Sequence, residues 1–164
     1  MRNKFTGLWL LIGLVLGLSG CGGGDRSDAA PEAKTQPSRD FQPYQIADSS
    51  AIITYPNGLK LYVVQQGPGE FAREGMDIVL HYHGMLESGE VFDSTFERAR
   101  PFNFRLGQTA VISGLAKAVE KLRFGSKAVA IIPPALAYSN REDRPANIPK
   151  NSTLIFHIEL LGTF

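Results

Sequence analysis

Phe92-Asp93 sets a carboxylate beside an aromatic ring, within a stretch from Ile78 to Ser94 that otherwise alternates large apolar residues with others. A buried charge is costly unless it finds a partner, so this pairing predicts a pocket rather than plain packing. The chemistry open to that pocket is narrow. The chain contains no G-x-S-x-G, no G-x-x-x-x-G-K-[ST], no C-x-x-C and no H-E-x-x-H, so an activated nucleophile, a phosphate cradle, a redox dithiol and a zinc-peptidase site all lack support. His81 and His83 lie two apart on one strand face, a chelating interval, and His157 falls on a comparable outward position. With no Cys, Asp or Glu at a matching interval, these histidines are expected to face solvent, and neither a metal nor a cofactor is expected.

The elements that must carry this pocket are short. Ile78, Leu80 and Tyr82 alternate with Val79, His81 and His83, the period of a pleated strand, and Ser88-Gly89 supplies a turn into a return strand at Val91 to Ser94. Further strands are expected over Leu59–Gln65, Lys127–Ile132 and Thr153–Leu161. In the last, Leu154, Phe156, Ile158 and Leu160 face a core, while Ile155, His157 and Glu159 face water. Leu115, Ala118, Val119 and Leu122 have the spacing of one helical face, which predicts a helix from Ser113, as N-cap, to Leu122, with Gly125 as its stop. Short strands and one amphipathic helix bury both apolar faces only if the sheet wraps over the helix. The expected fold is α+β, a five- or six-stranded antiparallel sheet curled around one short helix.

Ahead of this domain, Arg2 and Lys4 precede an uncharged run from Phe5 to Leu18, shorter than the roughly 20 residues of a membrane-spanning helix and suited to a signal-peptide core. Leu18-Ser19-Gly20-Cys21 follows, ending in the only cysteine, and resembles the lipobox of bacterial lipoproteins. That resemblance implies cleavage before Cys21 and a lipid on its sulfur, which places residues 1–20 in a signal peptide. From Gly22 to about Ser50 the composition is Gly, Ser, Asp, Ala, Pro and Gln, too poor in apolar groups to fold. As a coil of roughly 30 residues this tether spans on the order of 30 Å. Residues 51–164 are left as one folded domain. Removal of residues 1–20 takes away Arg2 and Lys4 and no acid, moving the net charge from +1 to −1. Such a balance gives no electrostatic case for nucleic acid.

The order H-Y-x-G-M-L-E-x-G-x-x-F-D-S from His81 to Ser94 resembles the FKBP-type peptidyl-prolyl cis/trans isomerases. The likeness continues through Pro101-Phe102-Asn103-Phe104, Leu106-Gly107, Val111-Ile112-Ser113-Gly114-Leu115, Ala137-Tyr138 and Ser152-Thr153-Leu154-Ile155-Phe156. It implies a proline pocket with Leu115 as floor under the prolyl ring and Tyr82, Phe102, Val111, Ile112 and Phe156 as walls, joined by Phe92 and Ile148. It also implies that the Ile112 N–H and the Tyr138 hydroxyl hold substrate carbonyls, and that Asp93, paired with Arg98, lies near the carbonyl that rotates. The resemblance further implies that Asp93, Tyr138, Phe156 and Tyr82 form the catalytic set.

Several positions depart from the family. Leu115 stands where Trp is common, Ser139 where Gly follows the tyrosine, and Asn147 where an apolar residue precedes Ile148. The rim loop from Ser139 to Asn147 carries Arg141, Glu142, Asp143 and Arg144. The partners expected are proline-containing polypeptides and macrolide inhibitors, with a membrane met through lipid on Cys21, and the chain is expected to be a monomer. The envelope location implied is the outer membrane in a Gram-negative cell, because Gly22 rather than Asp follows Cys21. The competing function is a non-catalytic holdase or scaffold that uses the same pocket.

Overall fold

The computed structural model describes residues 41–139 and 143–163. Arg2, Lys4, the apolar run, Cys21 and the tether as far as residue 40 lie outside them, as do Arg141 and Glu142. The described residues form seven strands and one α-helix: β1 Ile53–Thr54, β2 Lys60–Gln65, β3 Asp77–Leu86, β4 Val91–Ser94, β5 Phe102–Arg105, α1 Ser113–Val119, β6 Lys127–Ile132 and β7 Leu154–Gly162. The strands make a single antiparallel sheet in the order β1-β2-β6-β7-β3-β4, with β5 on β3 beside β4. Strand β3 is the hub. One of its edges pairs with β7 from Leu80↔Leu160 to Leu86↔Leu154, and the other with β5 and then β4.

The period-2 pattern settles which side chains meet the helix. Ile78, Leu80, Leu154, Ile158 and Leu160 are all but inaccessible, and they pack in one core with Leu115, Ala118, Val119 and Leu122. Burial of such side chains contributes about 1.5–3 kcal/mol each, which fixes the register, since a slip of one residue would turn them all to the wrong face. Glycine is needed at turns on both sides of the pocket elements. Gly89 has φ of +89° in the β3–β4 hairpin and Gly125 has φ of +86° after the helix, a region where a Cβ is strained.

The helix differs from expectation at both ends. Its N-cap is Ile112, with no side-chain cap bond, and Ser113 is the first helical residue, its hydroxyl donating to the Leu136 carbonyl at 3.3 Å. Ile112 takes the cap position because its side chain is buried, an apolar gain larger than the roughly 1 kcal/mol of a polar cap. At the other end α1 stops at Val119, and Leu122 reaches the core through tighter i to i−3 turns, Lys121 N–H to Ala118 and Leu122 N–H to Val119.

The outer face of the sheet also differs. His81, His83 and His157, expected in solvent, are only 4%, 7% and 4% exposed. Aromatic side chains cover them, among them Phe41 and Tyr44 from the stretch expected to be tether.

Helix α1 can approach the sheet this closely because Gly114 has no side chain. A Cβ there would lie 2.2 Å from Ile132 Cγ2 and 3.1 Å from the Leu136 carbonyl. Gly114→Ala is therefore expected to destabilise the domain by about 1–3 kcal/mol despite its better helix propensity, read as a lower midpoint of urea unfolding.

Candidate active site

Between the concave face of the sheet and the N-terminal end of α1 lies a cavity of about 430 Å³. One end is aliphatic: Ile112 and Leu115 come from the start of the helix, Val111 from the segment before it, and Ile148 from the position just after the rim loop. Aromatic rings make the walls. Tyr82 of β3 meets Phe102 of β5 edge to face at 5.8 Å and Phe156 of β7 at 5.5 Å, and Phe156 meets Phe92 of β4 at 5.5 Å. The sheet register brings these residues together from distant parts of the chain, since Gly84 pairs with both Phe156 and Asp93. Gly84 is needed in that position because a Cβ would lie 2.5 Å from the Phe92 ring. Tyr138, at the end of the segment after β6, completes the opening.

Every residue named from the sequence for this pocket thus borders one cavity, and Cys21 alone of the named site residues lies outside the described residues. Sequence reasoning missed Ala110 and Pro145, and placed Asp143 on the rim loop without assigning it to the lining. Nothing in their residue types marks Ala110 and Pro145. The sign for Asp143 was the charge density of its loop. Among the described residues of that loop, Asn147 Nδ2 donates to the Phe92 carbonyl at 2.8 Å and Arg144 Nε donates to the Ile148 carbonyl at 2.6 Å. The first bond gives the departure at Asn147 a purpose, because an apolar residue could not tie the rim to β4.

Asp93 is held from two sides. Arg98 forms an ion pair with it, and the Tyr82 hydroxyl donates to its second oxygen. Burial alone would raise the Asp93 pKa, but the bonds from Arg98 and Tyr82 outweigh it and leave the carboxyl below its ordinary range. Tyr82 moves the other way: burial first, and its bond to Asp93 second, push its phenol up to about 12. At neutral pH the pair is therefore a charged carboxylate and a neutral phenol. The Arg98 side chain is half exposed, so the pair orients Asp93 more than it stabilises the fold.

The loop that returns Arg98 to Asp93 is itself constrained. Ala99 has φ of 49°, a left-handed conformation that costs about 1–2 kcal/mol for a residue with a Cβ. The loop is kept by Ala99 N–H to Phe96 and Arg100 N–H to Thr95 backbone bonds, and by the buried Thr95 hydroxyl, which bonds to the Tyr82 backbone at 2.8 and 3.1 Å. Among the described residues no group of three or more His, Cys, Asp or Glu is placed to hold a metal ion.

The polar side chains of the lining are Tyr82, Asp93, Tyr138 and Asp143, with no Ser, Cys, Lys or His among the lining residues. The profile of the FKBP-type peptidyl-prolyl cis-trans isomerase family matches residues 69–161, more than half of the chain. This chain belongs to that family. It is 42% identical to FK506-binding protein 1A of Neurospora crassa over 107 residues, 65% of this chain and 88% of the relative. Identity to FK506-binding protein 1 of Dictyostelium discoideum is 36% over 104 residues, 63% of this chain and 96% of the relative. Among solved structures, AtFKBP13 superposes with a TM-score of 0.63 at 35% identity, covering 69% of this chain and 98% of that one. FkpA from Escherichia coli superposes at 0.64, with 37% identity over 71% of this chain and 53% of its own. The antiparallel sheet with one short helix is the FKBP fold.

The sign of the Asp93 shift gives a test. A carboxylate with a lowered pKa contributes stability above its unfolded value of 3.8, lost as pH falls through the folded value. Arg98→Met removes the cation but leaves the burial, so the Asp93 midpoint, followed by carboxyl carbon chemical shift, is expected to rise above its wild-type position.

Proposed function

We propose that this FKBP-type domain speeds rotation about X-Pro bonds in envelope or secreted polypeptides by binding the twisted amide better than the planar one. The barrier of roughly 18–20 kcal/mol is the loss of amide resonance, and no bond breaks. A catalyst needs only to favour the rotated form. A twisted amide is less polar than a planar one, so it loses less on entering a dry cavity walled by Tyr82, Phe92, Phe102 and Phe156. In this mechanism the prolyl ring rests on Leu115 against Val111, Ile112 and Ile148. The Ile112 N–H and the Tyr138 hydroxyl hold the flanking carbonyls, and Asp93 faces the carbonyl that turns. The single supporting observation is the juxtaposition of these aromatic and aliphatic side chains with one carboxylate already neutralised by Arg98.

The same cavity would take FK506, the ligand named for the two relatives above, with Leu115 offering a smaller floor than Trp. Uncatalysed conversion of an X-Pro peptide takes tens to hundreds of seconds at 25 °C. The protein is expected to shorten it, FK506 to block that effect, and Phe156→Ala or Asp93→Ala to lower kcat/KM on the order of tenfold, equivalent to about 1.4 kcal/mol. Equal rates with and without protein would leave a holdase.

The envelope location is supported by sequence alone: Arg2 and Lys4, the apolar run from Phe5 to Leu18, and Leu18-Ser19-Gly20-Cys21. In this proposal Cys21 carries the lipid, the membrane is the outer one if the cell is Gram-negative, and the domain stands clear of the lipid headgroups in the periplasm or at the cell surface. Radiolabelled palmitate is expected to enter the wild-type chain expressed in a bacterium and not Cys21→Ser; label in both would remove the anchor from Cys21.

A further inference from the structure

The outer face of the sheet carries an arrangement that peptide isomerisation does not use. Phe96, on the loop between β4 and β5, is sandwiched between two rings: Phe41 stacks on one side at 4.2 Å and 18°, and His81 on the other at 5.0 Å and 27°. Phe41 also touches His83 at 5.0 Å, and Tyr44 crosses His157 at 5.8 Å. The backbone N–H of Tyr44 donates to His157 Nδ1 at 3.1 Å, a bond that only a neutral imidazole with its proton on Nε2 can accept. The far end of Tyr44 is fixed as well, its hydroxyl bonded to Glu159, which pairs with Lys127 Nζ at 2.9 Å.

We propose that residues 41–44 are a strap that docks on the three outer-face histidines only while they are neutral, and that by clamping Phe96 it steadies the loop carrying Arg98. Acidification then lifts the strap and loosens the group that orients Asp93. Protonation of His157 would set its Nδ1–H against the Tyr44 N–H, donor facing donor. The charged groups around the cluster are few. His83 faces His157 from β3, Glu159 and Lys127 lie beside Tyr44 on β7 and β6, and Glu97 acts on His83. Burial, reinforced by His83, holds His157 at about 4. Burial also lowers His81 and His83, with Glu159 and Glu97 in partial opposition.

The sign follows from proton counting. A histidine near 6.5 when uncovered and lower when covered takes up protons on release, so docking is fully favoured above about 6.5 and is lost as pH falls toward 4. The route to the site is short and continuous. His81 Nδ1 bonds Thr95 Oγ1 at 2.9 Å, His83 Nδ1 bonds Ser94 Oγ at 3.2 Å, and Ser94 and Thr95 directly follow Asp93.

The test uses the full chain. Tyr44 amide exchange, corrected for its intrinsic rate, is measured at pH 7.5 and pH 4.5, with Ala130 and Ile158 of the sheet as internal standards. Protection of Tyr44 is expected to drop about tenfold or more at pH 4.5 while the standards hold. Phe41→Ala should lack that protection at both pH values, and Phe41→Trp should restore it. Unchanged protection of Tyr44 at pH 4.5 over an intact sheet would overturn the strap. A second arm, which rests on the isomerase activity proposed above, compares kcat/KM of wild type and Phe41→Ala. Their ratio should exceed one at pH 7.5 and approach one at pH 4.5, and a ratio of one at both would overturn the link to Arg98. Absence of isomerase activity in both proteins would count against the proposed activity and leave the exchange result to judge the strap.

Discussion

Strand β3 is hydrogen-bonded along both edges and covered on both faces, and nearly every other feature depends on that. Its pairing with β7 on one side and with β5 and β4 on the other holds Tyr82 and Gly84 at fixed places above the helix. Tyr82 then meets Phe102, Phe156 and Asp93, while Gly84 leaves room for Phe92. Even a strand with one solvated face has its register fixed by the buried one. A strand filled on both sides cannot slip by one residue without exchanging the pocket wall for the histidine layer.

The pocket is an apolar cup with one strongly oriented charge pair. Placing Asp93 among aromatic rings would be unfavourable if it stood alone, and the Arg98 and Tyr82 contacts reverse the effect of burial on its pKa. The result is a carboxylate ionised across the neutral range and fixed in direction. Such a group is unsuited to shuttling protons and suited to acting as a steady electrostatic boundary, which fits a reaction in which no proton is transferred. The left-handed Ala99 shows that the loop delivering Arg98 is held against a local preference. Bonds to Thr95 and Phe96 supply that constraint.

The two faces of β3 are therefore not independent. Thr95 bonds the Tyr82 backbone on the pocket strand and His81 on the outer layer, and Phe96 is part of the ring stack below Phe41. Any change in how the outer layer is covered acts on the same five-residue turn that positions Arg98. Sheet proteins often leave their outer face to water, where its composition is loosely constrained. Here that face is a second, smaller core containing titratable rings.

Much of the cavity was legible in the sequence, because strand and helix periods state which side chains share a face, and the motif order matched one family through six separate segments. Tyr82, Phe102, Leu115 and Phe156 could be assigned to one concave surface on that basis. The helix boundaries were less legible, since Ser113 has the right chemistry for an N-cap and only the burial of Ile112 displaces it. Ala110 and Pro145 line the cavity through position alone. What the sequence by itself determined was which side chains of each strand and of the helix share a face, a consequence of local period, and the composition of the pocket, through the order of its motifs. What only the tertiary structure decided was the fate of the opposite face. Alternation tells that His81, His83 and His157 point away from the helix, but not what lies beyond them, and the Tyr44 contact that covers His157 joins residues 113 apart, a distance over which local pattern carries no information.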